Sequence, residues 1–364
     1  MDFTFSDEQE ALRQAVRGFL AKEAPNEYVR EMADSERGFT DTLWNRMAEM
    51  GFTGLLVPRD HGGLGLGSVD LAVVMEEMGR LPLPGPYLSS AVLATLAARR
   101  LGATDLLADL ASGARRGTVA FEQAGGGYPV ERIRTRAVRR GSVYLLNGLQ
   151  PLVLDGHSAH WAIVPARSDR GLGSYLVDSP DGVYVPTMDP TRKAARIDLV
   201  DRPAMSIGPR CDHTAIWQRV FADAAVAVSA ELLGVAGAAL DMSIEYSKQR
   251  VQFDKPIASF QAIKHKIVDM YHSLELARAG THFAAWASDA DDEARSRAVA
   301  MAKSYTGDAA VRITGDAIQI HGGVGFTWAC DAHLFYKRAK QNDLMLGGQS
   351  SQRRELAHLV LDPA

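Results

Sequence analysis

Two segments in the C-terminal half of the chain combine residue types that can hold a phosphate-containing ligand. Arg250 follows a long helical pattern, and a guanidinium can engage a phosphate dianion with two hydrogen bonds. Gly322 and Gly323 form a pair at which the backbone can approach a ligand that a Cβ would keep away. Each feature also has an ordinary structural explanation: a solvated helix end for the arginine, and a turn for the glycines. The residues alone leave both explanations open.

Composition places the chain among globular proteins. With 364 residues and 46% hydrophobic content, it can bury a large core in two or three domains. Its 40 basic and 44 acidic residues are spread along the chain and give a net charge of −4, so no basic arm for nucleic acid is present. The N-terminus is acidic, and no apolar run approaches the ~20 residues that span a bilayer. Neither export nor membrane insertion is therefore predicted.

The cysteine content points to a reducing compartment. Cys211 and Cys330 are the only cysteines, too few for a disulfide framework or a four-cysteine zinc site. We therefore expect a cytoplasmic protein and no metal site.

Hydrophobic periodicity divides the chain into helical, β-prone and helical regions. Ser6 and Gln9 fit a capping box, and an apolar helical face follows them. The glycine-rich stretch at 62–67 follows helical sequence and leads into no βαβ unit, so it predicts an ordinary loop. Short β-prone runs occur at 118–121, 143–146, 161–164, 175–177 and 183–185. Helical spacing returns near Ala222 and continues to the C-terminus.

These elements predict an α+β fold with three domains. An N-terminal helical domain occupies 1–117, and a central small antiparallel β domain, either barrel or sandwich, occupies 118–221. A C-terminal four-helix bundle occupies 222–364.

Two motifs carry a family resemblance. The segment 250–257 with Gln261 after it resembles the R-x-x-F-G-x-P-I…Q motif of acyl-CoA dehydrogenases. Gln319, Gly322 and Gly323 resemble the Q-x-x-G-G element of the same family. Both occur in order and at family-like spacing, behind a helix–sheet–helix layout that covers nearly the whole chain. Together they make a specific match.

The resemblance implies that the chain helps to bind FAD at an interface between subunits. Arg250 would engage the pyrophosphate, and Phe253 would cover part of the cofactor with an apolar face. Asp254 stands where the family usually has glycine; aspartate tolerates a positive φ, but its charge beside a pyrophosphate is unfavourable. The full set of implied cofactor-binding residues is Arg250, Gln252, Phe253, Gln261, Gln319, Gly322 and Gly323.

The chain lacks the base that the family's reaction needs. Acyl-CoA dehydrogenation removes an α-proton while a hydride leaves the β-carbon for the flavin, and the family uses a glutamate for the proton. An ungapped match puts Leu346 at that position, and a shift by one residue puts Gly347 there. Some relatives carry the glutamate on the first C-terminal helix, where this chain has Ala224, followed by Ala225 in place of an arginine. No catalytic residue is therefore predicted in this chain.

Other segments around the same pocket also depart from the family. Residues 121–127 replace a T-E-P-x-A-G-S-D segment that packs near the flavin ring, and residues 152–156 replace a tryptophan-containing W-I-T contact. The stretch 328–333 resembles a W-E-H-D-x-H element of a bacterial branch, and we assign it no chemical role. The losses cluster around one pocket, so the chain is not expected to build a complete active site from its own residues.

The leading hypothesis is a subunit of a heteromeric, FAD-dependent acyl-CoA dehydrogenase that desaturates an acyl-CoA thioester between its α and β carbons. A homologous partner, in a two-plus-two hetero-oligomer, would supply the glutamate, and an electron-transfer acceptor would reoxidise the flavin. By analogy with such bacterial complexes, the substrate would be bulky, such as a steroid side-chain thioester. This predicts a role in lipid metabolism and steroid degradation.

Two other hypotheses are left open. Glu231 follows Ala224 by two helical turns on the same face and could act as the base of a self-sufficient homo-oligomer, although roughly 10 Å away along the helix. The ordinary explanation is a surface or interface glutamate. His321, inside the glycine motif, is likewise either structural or catalytic. The third hypothesis is a non-catalytic scaffold of the same fold that binds neither flavin nor thioester.

Overall fold

The computed structural model describes residues 5–121 and 129–361, and it shows the predicted order of helical, β and helical regions. The first region contains α1 (Asp7–Glu23), α2 (Asn26–Asp34), α3 (Asp41–Glu49), α4 (Ser68–Gly79), a π-helical segment (Tyr87–Ala94), α5 (Thr95–Leu101) and α6 (Leu107–Ala111). The capping box of α1 is confirmed: the Gln9 amide donates to Ser6 Oγ at 3.2 Å, and the Ser6 amide donates to Gln9 Oε1 at 3.1 Å. The glycine-rich stretch at 62–67 is a loop, as predicted.

The central region is a seven-stranded sheet. Its strands are β1 (Gly117–Val119), β2 (Arg136–Arg140), β3 (Val143–Leu154), β4 (Trp161–Ser168), β5 (Gly171–Asp178), β6 (Val183–Val185) and β7 (Ala194–Ile207). The path β4-β2-β3-β7-β5 closes into a barrel because β5 also pairs with β4. Pairing is mostly antiparallel, as predicted, but β1 and β2 both pair with β4 in parallel.

The last region consists mainly of helices, with one short hairpin. It contains α7 (Thr214–Gln249), β8 (Val251–Gln252), β9 (Lys255–Pro256), α8 (Gln261–Asp289), α9 (Arg295–His321), α10 (Ala332–Leu344) and α11 (Gln349–Leu361). The predicted α+β class is therefore confirmed. Helix α7 begins at Thr214, eight residues before the return of helical spacing that the sequence indicated.

Helix α7 is long and apolar enough to cross a membrane by length and composition, with a mean hydropathy of 1.6 in its most apolar window. The expectation that no apolar run approaches spanning length therefore does not hold for this helix. In the structure, 94% of that window is buried within the fold. A helix that is apolar on all sides is expected at the core of a large protein, which accounts for its composition.

The chain forms two compact units, which we call the helical unit and the barrel unit. The helical unit comprises Met1–Asn26, Ser68–Leu83 and Ala225–Ala364, and the barrel unit comprises Glu27–Gly67 and Pro84–Ala224. The three-domain boundaries at 117 and 221 remain a prediction.

In the helical unit, α9 packs against α8, α10 and α11, and α4 packs against α1 and α8. Helices α4 and α7 approach so closely that a Cβ on Gly79 would lie 2.1 Å from the carbonyl oxygen of Glu231. On the other side of this contact, a Cβ on Gly234 would lie 1.9 Å from the carbonyl oxygen of Glu76. Both glycines are therefore needed for the backbones to meet, and the contact fixes α7 beside α4.

In the barrel unit, side chains from the barrel strands form a closed apolar core. Its members include Leu146, Val153, Val164, Tyr175, Val177, Ile197 and Leu199, each at most 3% exposed. This core holds the ends of β3 and β4 at fixed positions.

Candidate functional site

Arg250 lies directly after α7, where the chain turns into a short hairpin. Its amide donates to the carbonyl of Tyr246 at 2.8 Å, and its carbonyl accepts from the amide of Ile257 at 2.8 Å, so its backbone is held on both sides. Strands β8 and β9 pair through a two-residue turn made of Phe253 and Asp254, with φ of 53° and 62°. Positive φ at both central residues is typical of a type I′ turn. The backbone at Asp254 is thus one that glycine and aspartate tolerate, as the sequence suggested.

The side chains of this hairpin point outwards. Phe253 is 86% exposed and meets the Phe260 ring edge-on, with centroids 6.1 Å apart. Gln252 is exposed and donates to the neighbouring carbonyl of Val251 at 2.8 Å. Arg250 is also exposed, and its guanidinium has no hydrogen-bond or ion-pair partner in the part of the chain that the structure describes. Gln261, at the first position of α8, is exposed as well.

The second motif forms the end of α9. Gln319 is exposed in the last turn, and Gly322 ends the helix with φ 61° and ψ −142°, a conformation that only glycine adopts easily. Gly323 has no positive φ, and a Cβ there would meet no atom of the described chain within 4 Å. The chain's own fold therefore requires glycine at 322 but not at 323.

The structure brings the two motifs together. The rings of Tyr246, one turn before Arg250, and His321, next to Gly322, stack with centroids 4.3 Å apart. His321 is only 6% exposed, and its Nδ1 donates to the carbonyl of Ala317 at 2.7 Å. These contacts favour the structural explanation for His321 over the catalytic one.

The positions at which the resemblance expects the glutamate, Leu346 and Gly347, lie in a tight turn between α10 and α11. Leu346 has φ 59° and is 3% exposed, and Gly347 has φ 91°. The Leu346 carbonyl accepts a hydrogen bond from Gln352 Nε2 at 3.0 Å. Lys303 on α9 holds the end of α10, because its ammonium group donates to the carbonyls of Asn342 and Asp343 at 3.0 and 2.8 Å. The turn is well supported but carries no acid at 346 or 347.

Burial lowers the pKa of Lys303 from its ordinary value to about 8, against an opposing effect of the Asp343 carboxylate. Lys303 is 1% exposed, so its charged form lacks solvent. Sequence reasoning missed this residue, because a lysine inside a helical pattern ordinarily faces water.

The alternative base position is also empty. Ala224 and Ala225 are 0% and 2% exposed within α7. The neighbouring Asp223 is an acid that the sequence reasoning did not consider. It is 5% exposed, and its Oδ2 accepts from Arg100 at 2.8 Å, while Arg219 lies 3.7 Å from its Oδ1. Asp223 is thus a buried acid paired with two arginines that are themselves 39% and 23% exposed.

Glu231 is committed to a buried ion pair. Its Oε1 accepts a hydrogen bond from Arg338, and its Oε2 accepts from Asn342 Nδ2 at 2.9 Å. Arg338 is fully buried and also donates to the carbonyls of Pro82 and Leu83. With both oxygens engaged by donors from α10, Glu231 is held as a charged structural partner, which argues against its use as a base.

Comparison with known proteins agrees with these observations. The model of the acyl-CoA dehydrogenase N-terminal domain matches residues 6–108, and that of the C-terminal domain matches residues 214–361. The acyl-CoA dehydrogenase IpdE2 of Mycolicibacterium smegmatis is 34% identical over 353 residues, which are 96% of this chain and 98% of that protein. The chain belongs to the acyl-CoA dehydrogenase family. Members of this family are oxidoreductases that act on acyl-CoA and typically bind FAD.

Two solved structures are similar to this chain over nearly its whole length. The ChsE4–ChsE5 complex from Mycobacterium tuberculosis matches with 29% identity and a TM-score of 0.89, covering 100% of both chains. A point variant of the Tcur3481–Tcur3483 steroid acyl-CoA dehydrogenase matches with 29% identity and a TM-score of 0.87, covering 98% of both.

Two segments depart from the acyl-CoA dehydrogenase pattern in the barrel unit. Residues 122–127 of the first lie outside the described part of the chain, and Phe121 before them is 1% exposed. In the second, at 152–156, Asp155 is 4% exposed with φ 49°, and its Oδ2 accepts from Ser89 Oγ at 2.7 Å. A buried aspartate held by a serine thus follows the apolar strand end where the family has its tryptophan-containing contact.

The stretch at 328–333 has an exposed aromatic side chain. Trp328 is 73% exposed; the His333 ring packs edge-on against it at a centroid distance of 4.9 Å, and the ammonium of Lys337 lies 4.9 Å from its centroid. These contacts assign it no chemistry.

Proposed function

We propose that this chain is the base-lacking subunit of a heteromeric, FAD-dependent acyl-CoA dehydrogenase. The observation that carries the proposal is the absence of an acidic side chain at both positions where the family has its glutamate. Leu346 and Ala224 occupy them. Two nearly buried acids of α7, Asp223 and Glu231, are each engaged by an arginine, Asp223 by the exposed Arg100 and Glu231 by the buried Arg338. A homologous partner would therefore supply the base.

Exposed groups at the two motifs support FAD binding. A bare guanidinium at Arg250 suits a pyrophosphate, which a planar fork of donors can engage at two points. The described chain itself would tolerate a side chain at position 323. A glycine there therefore fits a backbone that a ligand or another subunit approaches closely. When bound, the flavin would supply the acceptor for the hydride from the β-carbon. The residues that would hold it are Arg250, Gln252, Phe253, Gln261, Gln319, Gly322 and Gly323.

Asp254 is the residue that fits this site least well. Its φ of 62° explains why a residue other than glycine is accepted there, but its carboxylate is exposed in the same hairpin as Arg250. A second negative charge near a pyrophosphate weakens binding by repulsion. The partner's contribution would have to offset this repulsion.

The similar proteins support the partner and substrate class. Two of the solved structures carry the names of two chains each, and one of them is described as a steroid acyl-CoA dehydrogenase. We propose a two-plus-two complex with a homologous chain, a bulky acyl-CoA such as a steroid side-chain thioester, and an electron-transfer acceptor for the reduced flavin. Its location would be the cytoplasm.

Co-expression tests the proposal. The chain would be produced alone and together with each acyl-CoA dehydrogenase homologue encoded beside it, then purified through a tag on this chain. We expect FAD and turnover of a bulky acyl-CoA only in a co-purified complex. Turnover by the lone chain would contradict the proposal. A complex that forms without any flavin absorption band would favour the non-catalytic scaffold.

A further inference from the structure

Tyr246, one turn before the first motif, and His321, inside the second, have no role in the proposed function. Both belong to the helical unit, Tyr246 on α7 and His321 at the end of α9. Tyr246 is partly buried and His321 is 6% exposed, so they lie beneath the exposed motif residues rather than among them.

Three contacts tie this pair to the motifs. Their rings stack with an interplanar angle of 25°, and the Tyr246 hydroxyl donates to the His321 carbonyl at 3.5 Å. That carbonyl belongs to the last turn of α9, where no helical partner is available for it. On the other side, the Arg250 amide donates to the Tyr246 carbonyl. Tyr246 therefore contacts both the residue before Gly322 and the backbone of Arg250.

The orientation of His321 is fixed independently of Tyr246. Its Nδ1 donates to the Ala317 carbonyl at 2.7 Å, which sets the ring plane against which Tyr246 stacks. One aromatic pair therefore contacts both motifs, Tyr246 through the backbone of Arg250 and His321 as the residue before Gly322.

We propose that Tyr246 and His321 are positioning residues for the nucleotide, because they set the distance between the guanidinium and the glycine turn. The inference rests on the proposed FAD site. The stacked pair would be a supporting contact of the kind that holds the ligand-binding groups of a site in the correct geometry. Neither side chain would touch the cofactor.

The test uses the co-expressed complex. FAD affinity of the apo-complex would be measured by fluorescence titration for Tyr246→Phe, Tyr246→Leu, His321→Leu and the double leucine variant, with the thermal midpoint of each apo-complex. Tyr246→Leu should raise the FAD Kd about tenfold, because the stack is lost, whereas Tyr246→Phe, which keeps the stack, should have a much smaller effect. Tyr271→Leu, at an exposed tyrosine of α8, is the matched control and should leave the Kd unchanged.

The coupling between the two leucine substitutions in FAD affinity distinguishes positioning from a general loss of stability. If the pair acts as one unit, the double variant should bind FAD no more weakly than the weaker single variant. Additive losses, or a Tyr246→Leu complex with wild-type affinity, would overturn the inference. If the wild-type complex itself binds no FAD, the proposed function fails instead, so the two failures are distinguishable.

Discussion

Among the single residues, the most informative contact is the buried pair of Glu231 and Arg338. A carboxylate two helical turns from Ala224, where some family members carry their base, invites a catalytic assignment. Glu231 has an alternative, structural role, because the fully buried guanidinium of Arg338 needs a counter-charge and Glu231 provides it. Removing one partner of such a pair leaves the other buried and unpaired.

Glu231→Gln should therefore lower the free energy of unfolding by about 3–5 kcal/mol, the range typical of a broken buried pair. Denaturant unfolding of the apo-protein measures it. Glu275→Gln is the matched control: Glu275 pairs with Arg278 but is 42% exposed, so its loss should cost at most about 1 kcal/mol.

The combined variant Glu231→Leu with Arg338→Met should be less destabilised than Glu231→Gln alone, since it leaves no buried charge of this pair unpaired. A Glu231→Gln variant that unfolds like the wild type, but whose co-expressed complex has lost turnover, would show instead that Glu231 acts as a base.

Among the elements, the turn between α10 and α11 keeps a defined backbone although it carries no acid at 346 or 347. Leu346 occupies a left-handed conformation that costs a non-glycine residue roughly 1–2 kcal/mol, and its neighbours hold it there. The support comes from α9 through Lys303 and from α11 through Gln352. The backbone of the turn is thus ordered, and what it lacks is an acidic side chain.

Lys303 makes this support dependent on pH. Its pKa is about 8 in the folded protein and ordinary, 10.5, in the unfolded chain, so the unfolded chain binds more protons between these values. Stability therefore rises with pH across that window, by roughly 3 kcal/mol in total from this residue, and is unaffected by it below about pH 7. The stability advantage of the wild type over Lys303→Met should grow between about pH 8 and pH 10.5.

Unfolding curves at several pH values check this prediction. Lys264→Met, at an exposed lysine of α8, is the control, and its difference from the wild type should stay constant across the series. A constant difference for Lys303→Met as well would show that the buried ammonium group does not titrate in this window.

For the whole molecule, the informative surface feature is the exposure of three large aromatic side chains that lie in or shortly after the two motifs of the helical unit. Phe253, Phe326 and Trp328 are 86%, 74% and 73% exposed. Large exposed apolar side chains are typical of interaction surfaces when they cluster. Tryptophan is also enriched among the interface residues that contribute most of the binding energy. A partner subunit that covers them would account for their exposure.

Trp328→Ser should therefore weaken the complex by about 2 kcal/mol, or about thirtyfold in Kd, while the lone chain keeps its thermal midpoint. Sedimentation equilibrium of the co-expressed pair measures the association. Val200→Ser, at a side chain 79% exposed on β7 in the barrel unit, is the control and should leave the association intact. Equal behaviour of the two variants would place the interface elsewhere.

Local sequence patterns were enough for the longest helices and for some of the strands. The capping box of α1, the long C-terminal helices and the strand at Val183–Val185 are all present. Strands β2 and β7 went unrecognised because β2 carries three arginines, and because β7 contains Pro203 and several charged residues that break alternation. Their strand character depends on pairing with distant strands, which no local pattern encodes.

Residue identities alone were sufficient to indicate the family, through its motif residues. They also carry the prediction of a missing base, because the lack of an acid at 224, 346 or 347 can be read directly from the chain. The role of Glu231 could be settled only in three dimensions, because its partner Arg338 lies 107 positions away and a charge's role depends on what faces it. The same holds for Lys303 and for the Tyr246–His321 stack. Burial and pairing arise only when distant helices meet, so no reading of neighbouring residues could have supplied them.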